Sequence, residues 1–80
     1  IIVLLFMGSF IMKDEILIRF GNKVKEIRKE KGISQEKLAE LSGVDRSYMG
    51  RIERGEKNIS LTKIYQISHA LSIAPGLLLD

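Results

Sequence analysis

Residues 34–54 read SQEKLAELSGVDRSYMGRIER, and this stretch decides the fold. Ser34 is suited to cap a helix, because its hydroxyl can accept from an unpaired N–H of the first turn. Leu38, Ala39 and Leu41 then supply apolar residues at helical spacing. Gly43 follows, a residue that adopts the left-handed backbone of a helix end at no steric cost. Asp45 is placed to cap a second helix whose apolar face is Met49 and Ile52, with Val44 tucked in just ahead of it. Arg46, Ser47 and Arg51 fall on the other face. Two short helices joined by a glycine-containing turn have the layout of a helix-turn-helix, whose second helix can enter a DNA major groove.

The second helix carries the candidate chemistry. Asp45, spent as a cap, is removed as a repulsive charge at a DNA surface. Arg46 and Ser47 occupy the first turn, the part of a recognition helix that meets base edges. Arg51 lies four residues past Ser47, about 400° on and therefore only about 40° away around the helix. An arginine in that position can bond guanine O6 and N7 together. Gly50, with no side chain, is expected to let the helix approach the groove wall. Arg54, Lys57 and Asn58 follow and can reach flanking phosphates, which position a protein without reading sequence. Tyr48 suits a half-buried boundary position, since an amphipathic ring tolerates one wet side.

The segments SQEKLAELSGV (34–44) and DRSYMGRIERGEKNIS (45–60) resemble the phage-repressor, Cro/Xre-type helix-turn-helix family. Within that family they look most like the small controller proteins of restriction–modification systems. The resemblance covers residues from Phe20 to Leu79. It implies an all-α, five-helix, lambda-repressor-like domain with the helix-turn-helix at helices 2 and 3. It also implies base contacts from Arg46, Ser47 and Arg51, and a homodimer on an inverted-repeat operator. Gln35 matches the family glutamine that bridges phosphate and recognition helix. Tyr48 matches a tyrosine that meets the DNA backbone near the operator centre, so two roles stand open for it. Arg28 and Glu53 match a largely buried ion pair. Both also sit beside apolar stripe residues, Ile27 and Ile52, so a structural role is expected for them.

Bulk properties narrow the alternatives. Eighty residues make one domain with a modest core and no room for a large enclosed active site. There is no cysteine and a single histidine, His69, so neither a disulfide framework nor a zinc site is expected. The net charge of +3 and pI near 9.4 suit a polyanionic partner. Gly-rich phosphate loops, GxSxG elbows and HExxH motifs are missing, so no enzymatic activity, cofactor or small-molecule ligand is expected. Double-stranded DNA is the expected partner, in the cytoplasm. The rival reading is a helix-turn-helix adaptor for protein interaction or membrane-linked assembly.

Outward from the centre, helix 1 is expected to begin near Asp14 and Glu15, acids that suit a helix start. Leu17, Phe20, Val24 and Ile27 form its apolar stripe, and Gly21 inside it is expected to weaken it. Gly32 ends it. Ser60 is expected to cap helix 4, with Leu61, Ile64, Ile67 and Leu71 facing the core and Tyr65 and His69 off that stripe. Pro75 suits the first position of a weak helix 5, which carries Leu77, Leu78 and Leu79. Residues 1–12, IIVLLFMGSFIM, are an apolar run too short to span a bilayer as a helix. They are expected to lie outside the domain, which is placed at 13–80. The end of a longer membrane anchor is the alternative for that run.

Overall fold

The computed structural model describes residues 2–79, with side chains described for 14–79. It contains five helices: α1 (Ile2–Glu30), α2 (Gln35–Ser42), α3 (Arg46–Glu53), α4 (Leu61–Ala70) and α5 (Gly76–Leu79). No strand occurs among the described residues. No helix among them is long and apolar enough to cross a membrane. The reading of residues 1–12 as an extension falls outside the residues whose side chains are described.

Each short helix starts where a side chain satisfies its first N–H groups. Ser34 accepts from the Lys37 N–H at 3.0 Å, Asp45 from the Tyr48 N–H at 2.7 Å, and Ser60 from the Lys63 N–H at 3.1 Å. Such a cap contributes about 1 kcal/mol. Gly43 ends α2 in the left-handed conformation, φ 73°, and the next residue, Val44, donates back to the Ala39 carbonyl. Only two residues, Val44 and Asp45, then separate that glycine from α3. The angle between the two helices is thus set by local chemistry.

The core gathers Phe20 and Val24 of α1, Leu38 and Ala39 of α2, Met49 and Ile52 of α3, Ile67 and Leu71 from α4 and its cap, and Leu78 of α5. α2 packs on α3 and α4, while α1 lies across α3 and α5. The central pair of helices is therefore held from both sides.

Several details differ from the sequence reading. α1 does not begin at Asp14 and Glu15, which lie inside a helix running from Ile2. No proline interrupts residues 2–30, so nothing compels a start there. Leu41 is 49% exposed, whereas Ser42 is buried. Taking Leu38 as zero, Ala39 and Ser42 fall at about 100° and 40°, and Leu41 at about −60°, off the stripe. Leu61, at the first position of α4, is 67% exposed and contributes nothing to the core. α5 starts at Gly76, one residue after Pro75, and of its three leucines only Leu78 is buried.

Gly21 is the largest departure. It is buried, and a Cβ there would meet the Ile52 carbonyl oxygen and stand 2.7 Å from that of Glu53. The glycine is thus the point at which α1 crosses the end of α3, and its low helix propensity is offset by that close approach. We expect Gly21→Ala to be net destabilising, by up to about 2 kcal/mol. An overpacking cost of about 1–3 kcal/mol outweighs the roughly 1 kcal/mol gained in propensity. A urea denaturation midpoint at or above the wild-type value would contradict this.

Candidate nucleic-acid interface

The interface is built on α3. Met49, Gly50, Ile52 and Glu53 are buried, while Arg46, Ser47 and Arg51 are exposed. One face of the helix is committed to the fold and the other points to solvent. Ser47 and Arg51 stand one turn apart in a line, and Arg46 flanks them.

Arg28 and Glu53 anchor the back of this helix. The Arg28 Nε donates to Glu53 Oε2 at 2.7 Å and Nη2 to Oε1 at 3.1 Å, a bidentate pair that is almost fully buried. Arg28 Nη1 also donates to the Ile33 carbonyl at 3.0 Å. Gln35 Nε2 adds a third donor to the carboxylate, reaching Oε1 at 3.1 Å. One carboxylate therefore joins α1, the start of α2 and the end of α3. Burying two charges is costly unless their remaining hydrogen-bonding capacity is met, and here it is largely met.

Gln35 is half-buried, its amide lying between Glu53 and the backbone of Gly50. Gly50 does not open onto a groove as expected from the sequence. It is buried, and a Cβ there would come within 3.5 Å of Gln35 Oε1 and 3.2 Å of Arg54 Nη1.

The exposed arginines differ in their neighbours. Arg46 has Glu36 Oε2 at 3.9 Å, a loose surface pair. Arg54 is bound to Glu56 by two contacts, Nε to Oε2 at 2.9 Å and Nη2 to Oε1 at 3.4 Å. That hydrogen bond raises the Arg54 pKa further and holds the Glu56 carboxyl below its ordinary range. Arg51 has no carboxylate within 4.0 Å among the described residues, though its charge helps lower the Glu56 pKa. Lys57 lies with its ammonium 5.2 Å from the centre of the Tyr48 ring, and both residues are half-buried. Asn58 is exposed and borders an apolar groove of about 170 Å³ lined by Ile16, Phe20, Ile64 and Leu78. Glu36 and Glu56 are the neighbours that sequence reasoning missed. Glu56 lies two residues from Arg54, a spacing common on any charged surface, and Glu36 lies ten residues from Arg46, with no linear signal.

The family described as Helix-turn-helix matches residues 24–78, which contain the capped helix pair and its core. The chain belongs to that Cro/C1-type helix-turn-helix family. Its members are DNA-binding transcription regulators, and so is this protein. The control protein C.BamHI of Bacillus amyloliquefaciens is 47% identical over 70 residues, covering 86% of each chain. The control protein C.MunI of a Mycoplasma species is 48% identical over 61 residues, 75% of this chain and 82% of that one. Among solved structures, the restriction-modification controller protein C.AhdI from Aeromonas hydrophila is 52% identical with a TM-score of 0.76. That match covers 78% of this helix-turn-helix protein and 94% of C.AhdI.

Proposed function

We propose that this helix-turn-helix protein is an autoregulatory controller or repressor that binds an inverted-repeat operator as a homodimer in the cytoplasm. The observation that carries the reading is the split character of α3, with Arg46, Ser47 and Arg51 exposed on a helix whose other face is buried. In this reading Arg46, Ser47 and Arg51 meet base edges. Gln35, Tyr48, Arg54, Lys57 and Asn58 serve the phosphate backbone, and Arg28 with Glu53 fixes the scaffold. A single recognition helix reads only a few base pairs, so a two-fold partner supplies the remaining specificity. Similarity to C.MunI and C.BamHI supports the controller role. The functional domain is placed at residues 13–80. It has no catalytic step, cofactor or small-molecule ligand, and its regulation follows its own concentration.

The test is selection of bound duplexes from a random pool, followed by titration of the winner at two salt concentrations. The expected product is a two-fold symmetric site with half-sites about 10 base pairs apart or a multiple of that. Its affinity should fall steeply with salt, since each neutralised phosphate adds about 0.9 to the slope. Failure to enrich any sequence, with weak and salt-insensitive binding, would point instead to an adaptor.

A further inference from the structure

We propose that the Tyr48 ring acts as a platform that holds the Lys57 ammonium ready for a DNA phosphate beside the recognition helix. The inference deepens the DNA-binding reading and rests on it. Lys57 lies in the polar loop after α3, where a lysine is ordinarily solvated and mobile. Here it is half-buried, with Nζ 5.2 Å from the ring centroid, within the roughly 6 Å over which an aromatic face attracts a cation. Tyr48 is itself anchored to the fold. Tyr48 packs against the core through its inner side, and its N–H is held by the Asp45 cap.

How a cation is held determines what it can still do. Arg54 is held by Glu56 and Arg46 lies near Glu36, and in both cases a carboxylate offsets the charge. Among the described residues no carboxylate lies within 4.0 Å of Lys57, and the adjacent Glu56 is turned to Arg54. An aromatic face restrains an ammonium without cancelling its charge. Lys57 is therefore ordered in advance and still carries a full unit of charge for a phosphate. Toward Lys57, Tyr48 is then a positioning residue that acts through its ring face, separately from any contact its hydroxyl makes.

A double-mutant cycle in DNA binding, titrated over a range of salt, tests this. Lys57→Gln should weaken operator and random duplex alike and lower the salt slope by about 0.9, the value of one phosphate contact. Tyr48→Phe keeps the ring and should lose clearly less than Tyr48→Leu, with the salt-slope contribution of Lys57 retained. Tyr48→Leu should cost several-fold in the wild-type background and clearly less in the Lys57→Gln background. Equal losses from Tyr48→Leu in both backgrounds would overturn the coupling. So would a Tyr48→Phe defect as large as that of Tyr48→Leu, which would assign the contact to the hydroxyl. Should Tyr48→Leu fail to fold, the proton spectrum of the unmodified protein still decides. The Lys57 side-chain methylene protons must show an upfield ring-current shift, and ordinary values would overturn the proposal. Wild-type binding without salt dependence would remove the DNA-binding reading and this one with it, whereas additive losses with intact wild-type binding remove this one alone.

Discussion

Glu53→Ala should lower stability by about 3–5 kcal/mol, the loss expected when one member of a buried ion pair is removed. The substitution strands the Arg28 guanidinium, of which only the contact to the Ile33 carbonyl remains, and also frees the Gln35 amide. Arg28→Ala strands the carboxylate with only the Gln35 donor, so its cost should be of the same order. For a domain of this length a loss of 3 kcal/mol corresponds to roughly 12–24 °C in Tm. The double substitution should cost less than the sum of the singles, because it leaves no charge unpaired. A replacement of both by apolar residues of similar volume could recover most of the stability. Thermal melts of the singles and the double decide it. Near-wild-type melting for both singles would mean that the pair contributes nothing. The folded fraction of each variant should keep its operator preference, since neither side chain faces the proposed groove.

Arg51→Ala should cost about 1–3 kcal/mol on the preferred operator and relax preference at one base position. Arg51 shares a line with Ser47 on the exposed side of α3. It is also the arginine of that helix with no carboxylate inside 4.0 Å among the described residues. Its guanidinium is therefore free to make a bidentate contact without first releasing an internal partner. Arg46 must give up a loose contact to Glu36 before doing the same. Titration of the variant on the selected operator and on random duplex distinguishes base reading from backbone contact. Equal losses on the two would reduce Arg51 to a phosphate contact and leave Arg46 as the main candidate for direct readout.

What the capping and turn residues determine by themselves is local. Ser34, Asp45 and Ser60 cap their helices through contacts only three residues long, and Gly43 turns the chain within its own vicinity. Interactions of that range depend on neighbours in the chain, so residue type and spacing suffice to read them. The end of α4 lacks such a marker. Ser72 takes the positive-φ position, at 57°, that a glycine would ordinarily mark. Helix periodicity likewise identifies a stripe but not its edges, so Leu61 reads as core-facing although it is exposed, and Leu41 sits at helical spacing without joining the core.

The tertiary structure decided whatever depends on how close two helices come. Gly21 reads as a weak point in α1 until the carbonyls of Ile52 and Glu53 are found against it. Gly50 reads as an opening toward DNA until Gln35 is seen lying over it. The pairing of Lys57 with a ring, of Arg54 with Glu56 and of Arg46 with Glu36 follows from side-chain directions that a helical wheel does not specify. Spacing along the chain names the cations of this surface, but packing sets which carboxylate or ring each one meets. That partner in turn determines how much of each charge is left for a phosphate or a base.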